Sequence, residues 1–444
     1  MYAMIAASHR EFLLYPRILL RLAAAGVACQ ITIAAARDLP SARPEAVNLS
    51  SERLARLPAG MQTLVDHGRL AGAVTLVARR GKVVEFEATG KRDLAADAPM
   101  QKDTIFRIYS MTKPITGVAL MILFEEGKWQ LNDPVANYIP EFAQLKVFSI
   151  DAQGNIALVE QNHPVTMREL LSHSGGFTYG IFGNSPVDKL QREADVLNIN
   201  NSLDEFIKRM AKLPLNAQPG SEWHYSVSVD IQGYIVQKLS GMPFDEFLEK
   251  RLFKPLGMVD TGFYVPKDKL SRFAELYRYD QGGKLQAVKT NESLNHDFAA
   301  KPAFISGGGG LVSTASDYLR FCQMLLNGGQ LEGVRILSPR TVDLMSTNVL
   351  TPNLSIFSPG AGFGLNFAVY TDPVAAGGYY GKGTYFWGGA AGTWFWIDPA
   401  NELIVIGMVQ QMAGTGAVAV AGVPDLRGLS HAYTYQAMLD PAPR

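Results

Sequence analysis

Residues 73–86, AVTLVARRGKVVEF, contain two runs of apolar and β-branched residues on either side of Arg80-Gly81. This pattern predicts two strands joined by a tight turn, because such runs favour extended backbone and glycine favours the turn. Residues 393–406, TWFWIDPANELIVI, repeat the pattern near the other end of the chain. We therefore expect one antiparallel sheet that is built from both ends of the chain.

The middle of the chain is mostly helical in pattern. Apolar residues recur at helical spacing in four segments, each closed or followed by Gly or Pro: residues 203–211, 229–239, 244–253 and 316–326. Strands at both ends with helices between them predict an α+β fold, in which a helical unit is inserted into an antiparallel sheet.

The composition is that of a loop-rich globular enzyme. The chain has 444 residues, of which 47% are hydrophobic and 18% charged, with 42 Gly and 24 Pro. Lys plus Arg and Asp plus Glu both total 41, so the chain lacks the basic surplus expected of a nucleic-acid-binding protein. Its two cysteines, Cys29 and Cys322, cannot form a disulfide framework.

Residues 1–38 differ in composition from the rest of the chain. Arg10 and Arg17 precede an apolar run, and small residues follow it at 34–36, as in a bacterial export signal. Arg21 interrupts the apolar run, so a disordered or helical extension is the alternative. A cytoplasmic and a periplasmic or secreted location both stay open. No later run reaches the 18 or so apolar residues of a transmembrane helix.

Several catalytic and ligand-binding signatures are absent from the chain. It contains no G-x-S-x-G, H-E-x-x-H, paired C-x-x-C, P-loop or G-x-G-x-x-G motif. The seven histidines are scattered. We therefore expect neither a metal nor a cofactor.

Ser110-Met111-Thr112-Lys113 is the only S-x-x-K in the sequence. Residues 115–124 are apolar on every side, which predicts a buried helix. Pro114 belongs in a first turn, so this helix is expected to begin near Ser110. Residues three positions apart are neighbours on a helix, and Ser110 and Lys113 should therefore touch.

Contact between the two side chains would let Lys113 accept the proton of Ser110. Serine is a weak nucleophile until a base accepts its proton, and lysine is a base only in its neutral form. Burial and the positive end of the helix dipole both disfavour the ammonium form. The alternative is structural: Ser110 caps the helix and the Lys113 amine reaches solvent.

Two further segments favour the catalytic interpretation. In residues 219–227, PGSEWHYSV, a tight turn precedes an aromatic stretch that aims Tyr225 at a cleft, where a phenol can exchange protons with a lysine. In residues 387–392, WGGAAG, small residues open onto a strand and let a backbone N–H approach a substrate.

In this order the three segments resemble the serine β-lactamase and penicillin-binding-protein superfamily, and within it the class C-like family VIII carboxylesterases. The resemblance runs from about Leu54 to Ala437, and three accessory stretches agree with it: residues 170–176, 308–314 and 388–393. It implies a β-lactamase/transpeptidase-like fold, with a sheet domain at 39–105 and 300–444 and a mainly helical domain at 106–299. The active site is expected between the two domains.

The resemblance also implies the roles of single residues. Ser110 is the nucleophile, Lys113 and Tyr225 transfer protons, and the N–H groups of Ser110 and Ala390 form an oxyanion hole. The histidines nearest these segments, His173 and His224, are interpreted as structural.

Two departures from the family pattern bear on the substrate. Trp387 stands where β-lactamases have the lysine of K-T-G, and Val227 stands where they have a substrate-binding asparagine. The tryptophan offers no charge and the valine offers no hydrogen bond, which favours neutral apolar esters. We assign substrate binding to Tyr109, Val227, Trp387, Gly388 and Gly389. Two interpretations stay open for the aromatic residues of these segments, a lining of an acyl pocket or a part of the core: Tyr109, Tyr385, Phe386 and Trp394.

The predicted function is a cofactor-independent serine carboxylesterase. It would hydrolyse small-molecule esters with short to medium acyl chains through an acyl-enzyme, with weak β-lactam hydrolysis as a side activity. The alternatives are a class C-like β-lactamase or D-amino peptidase, an acyltransferase, and a non-catalytic penicillin-recognition protein. The sequence does not indicate the oligomeric state.

Overall fold

The computed structural model describes residues 38–150, 155–291, 295–354, 356–412 and 425–441. The segment interpreted as an export signal or extension, residues 1–38, lies outside the described residues except for Asp38. Within the described ranges, none of the helices combines the length and the apolar character that a membrane crossing requires.

The described strands are short outside the first hairpin. In chain order they are β1 (Gly72–Arg79), β2 (Lys82–Asp93), β3 (Ala98–Pro99), β4 (Phe106–Arg107), β5 (Val147–Ile150), β6 (Ile156–Val159), β7 (Tyr277–Tyr279), β8 (Leu285–Ala287), β9 (Val312–Ser313), β10 (Gln330–Leu331), β11 (Val334–Arg335), β12 (Ala361–Phe363), β13 (Ala368–Tyr370), β14 (Tyr385–Gly388), β15 (Trp394–Asp398) and β16 (Leu403–Met408).

The main sheet joins the two ends of the chain, as predicted. Its strands run antiparallel in the order β12-β13-β14-β15-β16-β1-β2-β3, and Leu76 of β1 lies opposite Ile406 of β16. Arg80 and Gly81 form the turn between β1 and β2, both with positive φ (51° and 70°). A short 3₁₀ turn, Pro399–Asn401, joins β15 to β16. Both strand pairs expected from the sequence are therefore confirmed.

The described α-helices lie mainly between the sheet-forming ends. They are α1 (Ser51–Leu54), α2 (Arg56–Asp66), α3 (Thr112–Glu125), α4 (Met167–Leu171), α5 (Pro186–Glu193), α6 (Leu203–Met210), α7 (Ser228–Ser240), α8 (Phe244–Leu248), α9 (Lys254–Leu256), α10 (Ala315–Leu326), α11 (Pro339–Met345) and α12 (Leu426–Tyr435). Helices α6, α7 and α10 correspond to three predicted segments. The fourth is α8, which continues as a π-helical turn at Glu249–Phe253.

Helices cover both faces of the sheet. Along β15, the indoles of Trp394 and Trp396 both donate to the Ser430 hydroxyl on α12, each at 3.0 Å. Phe395, between them in sequence, instead packs on Tyr318 of α10 with ring centroids 5.1 Å apart. Because alternate residues of a strand point to opposite faces, α12 covers one face and α10 the other.

Helix α3 is buried along its length, as its apolar sequence predicts. All of its residues from Thr112 to Leu123 are buried, and it packs against α7. A 3₁₀ turn at Tyr109–Met111 precedes it and lies next to β14. Ser110 therefore lies at the start of a buried helix, beside the end of a sheet strand.

A buried carboxyl group on β2 makes stability depend on pH. Glu85 Oε1 accepts a hydrogen bond from the Thr75 hydroxyl at 2.8 Å, whereas Oε2 is shielded from solvent and has no partner among the described residues. Burial raises the pKa of Glu85 from 4.5 to about 8. Between these two pH values, the folded protein thus keeps a proton on Glu85 that the unfolded chain has lost.

Glu85→Gln is expected to stabilise the protein at alkaline pH. Between pH 4.5 and about 8 the native state of the wild type binds more protons than the unfolded state, so its stability falls as pH rises through this window. The fall is at most about 1.4 kcal/mol per pH unit. The side-chain amide of the variant does not titrate, so its stability lacks this fall with rising pH. Thermal melts of both proteins at pH 5 and pH 9 measure the effect, and an equal difference at the two values would contradict it.

Candidate active site

The Ser110 hydroxyl has two potential proton-transfer partners. Tyr225 OH donates a hydrogen bond to Ser110 Oγ at 2.6 Å, and Lys113 Nζ lies 3.5 Å from the same oxygen. Tyr225 is in the loop that leads into α7, far along the chain from α3. The structure therefore brings together the three residues for which the sequence predicts catalytic roles.

The Lys113 amine is enclosed by protein. The side chain is only 1% exposed, and Nζ donates to the Gly308 carbonyl oxygen at 2.6 Å. Nζ also lies 3.4 Å from Tyr179 OH, 4.5 Å from the centroid of the Tyr225 ring and 4.9 Å from that of Tyr179. Lys113 thus does not reach solvent, which removes the structural alternative raised for it.

A buried carboxyl group, Asp230 on α7, lies behind this amine. Its Oδ1 accepts from the Ser306 hydroxyl at 2.5 Å and from Gly308 N–H at 3.0 Å, while Oδ2 has no partner among the described residues. Burial raises the pKa of Asp230, and the charge of Lys113 opposes that rise. A Cβ at Gly308 would lie 2.5 Å from Asp230 Oδ2, so only glycine allows this approach.

Asp230 and Tyr179 were not predicted from the sequence. Burial, followed by the negative charge of Asp230, raises the pKa of the Tyr179 phenol well above its ordinary value. Tyr179 therefore stays protonated beside the Lys113 amine. The glycine-rich run at 306–310 was one available signal, because such a run allows close approach of backbone to a polar group, but it does not reveal which group approaches.

His173 and Ser226 hold the Tyr225 loop in place. His173 Nδ1 and the Ser226 hydroxyl are 2.9 Å apart, and His224 N–H donates to the His173 carbonyl oxygen at 2.9 Å. Burial, and then the charge of Lys113, lowers the pKa of His173 well below its ordinary value. His173 is therefore neutral at physiological pH. The His224 ring lies 2.6 Å from Glu222, away from Ser110.

The turn after β14 lies against the backbone that precedes Ser110. A Cβ at Gly389 would approach the Ile108 carbonyl oxygen to 2.4 Å, so glycine permits the contact. Gly392 N–H closes the turn by donating to the Gly389 carbonyl oxygen at 2.9 Å. In the part of the chain that the structure describes, no acceptor takes the Ala390 N–H. That group is free to donate to a substrate.

The residues predicted to bind substrate differ in placement. Trp387 packs on Tyr225 with ring centroids 5.5 Å apart, and Gly388 and Gly389 continue from it. Val227 is fully buried, and the Tyr109 ring lies in a separate apolar cluster with Leu276, Val288 and Ala391. The part of Val227 and Tyr109 in substrate binding stays a prediction.

Comparisons with known proteins identify the family. Residues 58–424 match the family model described as Beta-lactamase. The chain belongs to the beta-lactamase family. The helices and antiparallel sheet described above are those of this family's fold, so the predicted fold class is confirmed.

Within the beta-lactamase family, relatives named as esterases are prominent. The chain is 32% identical to Esterase EstB of Burkholderia gladioli, over 82% of this chain and 92% of that protein. It is 31% identical to Lovastatin esterase of Penicillium rubens, over 79% of this chain and 91% of that protein. These relatives support an ester hydrolase and the resemblance to family VIII carboxylesterases.

A solved structure similar to this chain is also that of a hydrolase. The protein described as "EstCE1, a hydrolase with promiscuous acyltransferase activity" superimposes with a TM-score of 0.71 at 27% identity. The match covers 86% of this chain and 99% of that one. The similarity therefore extends over nearly the whole of a hydrolase of this fold.

Proposed function

We propose that the protein is a serine carboxylesterase that hydrolyses neutral esters with short to medium acyl chains through an acyl-enzyme. The observation that carries the proposal is the position of Ser110 Oγ, 2.6 Å from Tyr225 OH and 3.5 Å from Lys113 Nζ. A hydroxyl between a phenol and a buried amine has a proton acceptor within reach, as a nucleophilic serine requires.

Acylation follows from these positions. Ser110 Oγ attacks the ester carbonyl carbon while its proton passes to the Lys113 and Tyr225 pair. The carbonyl oxygen becomes an oxyanion that the N–H groups of Ser110 and Ala390 stabilise. The bond to the alcohol oxygen then breaks, and Tyr225 gives a proton to that oxygen. The alcohol leaves, and the acyl group stays on Ser110.

Deacylation repeats the sequence with water. A water molecule takes the place of the departed alcohol, loses its proton to Tyr225 and attacks the acyl carbon. The bond from the acyl carbon to Ser110 Oγ breaks, and the Lys113 and Tyr225 pair returns a proton to that oxygen. The carboxylic acid is released, and the three side chains regain their starting protonation states.

The surroundings of Ser110 favour neutral substrates. The resemblance to β-lactamases aligns Trp387 with their K-T-G lysine, and the Trp387 ring packs directly on Tyr225. A tryptophan offers no charge to the carboxylate of a β-lactam or of a peptidoglycan stem. This position therefore supports the esterase over the β-lactamase and peptidase alternatives.

Kinetics on two chromogenic substrates test the proposal. We expect kcat/KM for p-nitrophenyl butyrate to exceed that for nitrocefin by about 100-fold or more. Nitrocefin carries a carboxylate, and burying this charge without a cationic partner costs several kcal/mol, whereas the butyrate ester is neutral. A preference for nitrocefin would overturn the esterase assignment and favour the β-lactamase.

Acyl transfer is a second candidate for the same site. The hydrolase EstCE1, which resembles this chain over most of its length, is described as having promiscuous acyltransferase activity. An alcohol in place of water at the deacylation step would yield a new ester. Product analysis with added methanol distinguishes the two, because a hydrolase releases mainly the free acid.

A further inference from the structure

Aromatic rings extend from Tyr225 toward the protein surface. Ring centroids of Tyr179, Trp387 and Phe182 lie 5.4, 5.5 and 6.0 Å from that of Tyr225. Phe357 continues the run beyond Trp387 at 6.0 Å. These spacings are those of packed aromatic pairs. The Tyr225 ring thus lies at the inner end of a continuous run of packed aromatic rings.

Phe182 and Phe357 are the exposed members of this run, and we call them the aromatic rim. Phe182 is 58% exposed and Phe357 is 66% exposed, although large aromatic side chains are usually buried. Phe357 also has a φ of 49°, a left-handed conformation that is unfavourable for a bulky residue. Strained residues of this kind cluster at ligand-binding sites. The rim therefore has the character of a binding surface.

The loop that carries Phe182 is fixed by a buried carboxylate. Asp188 accepts hydrogen bonds from Gly180 N–H at 3.0 Å, from Ser185 N–H at 2.9 Å and from the Ser185 hydroxyl at 2.8 Å. The Thr178 hydroxyl is a fourth donor to the same carboxylate. The loop on both sides of Phe182 is consequently held in place before any ligand arrives, which lowers the entropy cost of binding.

The proposed mechanism determines which part of the substrate meets these rings. Tyr225 gives its proton to the departing alcohol oxygen, so that oxygen must come within hydrogen-bond distance of the phenol. The substituent on the oxygen then lies beside the Tyr225 ring. The rings packed around Tyr225, and the rim beyond them, therefore face the alcohol half of the ester.

We propose that the aromatic rim binds the alcohol half of the substrate, and that this half is a neutral aromatic or polycyclic group. The rings offer apolar faces, and none of the side chains in the run carries a formal charge at neutral pH. A flat apolar group would stack on Phe182 and Phe357 and exclude water from the leaving oxygen. This inference rests on the proposed esterase function and adds the class of alcohol.

A series of acetate esters tests the inference. Ethyl, benzyl and 2-naphthylmethyl acetate share an acyl group and release alkoxides of similar basicity, so they differ mainly in apolar area. We expect kcat/KM to rise about tenfold or more from the ethyl to the naphthylmethyl ester. Phe182→Ala and Phe357→Ala should each lower the naphthylmethyl-to-ethyl ratio about fivefold, the loss of one aromatic pair.

Control variants separate the outcomes. Ile156→Ala removes an exposed apolar side chain on β6, outside the ring run, and should leave the ratio unchanged. Phe182→Leu and Phe357→Leu keep apolar bulk and serve if an alanine variant folds poorly. An unchanged ratio in the rim variants, or a loss seen only when acyl length varies on p-nitrophenyl esters, would overturn the inference while the esterase function stands. Failure to cleave any ester would overturn both.

Discussion

Ser110→Ala is expected to lower kcat/KM for p-nitrophenyl butyrate by about 10⁴- to 10⁶-fold, as loss of a catalytic nucleophile does in serine hydrolases. The variant lacks the oxygen that forms the acyl-enzyme, and Lys113 and Tyr225 have no other hydroxyl to activate at this position. Covalent labelling by a fluorophosphonate probe should also disappear. Steady-state kinetics measure the first effect, and the intact mass of the protein after labelling measures the second.

Ser221→Ala is the matched control for this result. Ser221 lies on the surface of the loop that precedes Tyr225, where its hydroxyl donates to the Gln218 carbonyl oxygen at 2.7 Å. Its replacement should leave labelling and turnover close to those of the wild type. If the Ser110→Ala protein keeps its circular dichroism spectrum and is still labelled, the nucleophile lies elsewhere and the proposed mechanism is wrong.

Tyr225→Phe is expected to lower kcat by about 10²- to 10⁴-fold, the usual contribution of a positioned acid or base. The change removes one oxygen, the one that lies 2.6 Å from Ser110 Oγ, and keeps the ring that packs on Trp387. The apolar part of substrate binding should persist, so KM should change much less than kcat. Steady-state kinetics on p-nitrophenyl butyrate separate the two constants.

Tyr179→Phe provides a closely matched comparison. Its phenol lies 3.4 Å from Lys113 Nζ, and its ring packs on Tyr225, but no hydrogen bond joins it to Ser110. Its loss should reduce kcat by no more than about tenfold, the effect of one hydrogen bond to the base. Equal losses in the two variants would mean that Tyr225 positions Lys113 and does not transfer the proton.

The fold followed from local patterns in the sequence. The strand pairs at 73–86 and 393–406 carry their own turn residues, and α3 is apolar on every side. Such features are encoded within about 15 consecutive residues, so a single sequence shows them. The pairing of β1 with β16 is not encoded locally. It follows because an edge strand has unpaired N–H and C=O groups, which strands from the two ends of the chain can satisfy in each other.

The candidate site was predictable only where a motif lies within one short segment. Ser110 and Lys113 are three positions apart, whereas Gly308 and Asp230 approach Lys113 from distant parts of the chain. The glycine-rich run at 306–310 indicates that some group approaches closely, but a single sequence does not show which one. The aromatic acyl pocket stays a prediction: Tyr385, Phe386 and Trp394 are buried in the sheet, and the rings that pack on Tyr225 include Trp387 of β14 and Tyr179.

The distribution of these groups along the chain has a consequence for assembly. The hydroxyl, the amine, the carbonyl that receives that amine and the phenol come from a buried helix, the glycine-rich run at 306–310 and the loop before a second helix, and they meet only when these segments have packed together. A partly folded chain would possess each group but not their proximity. Turnover should consequently report the fully assembled state, and denaturant should abolish activity in the same transition that separates the helices from the sheet.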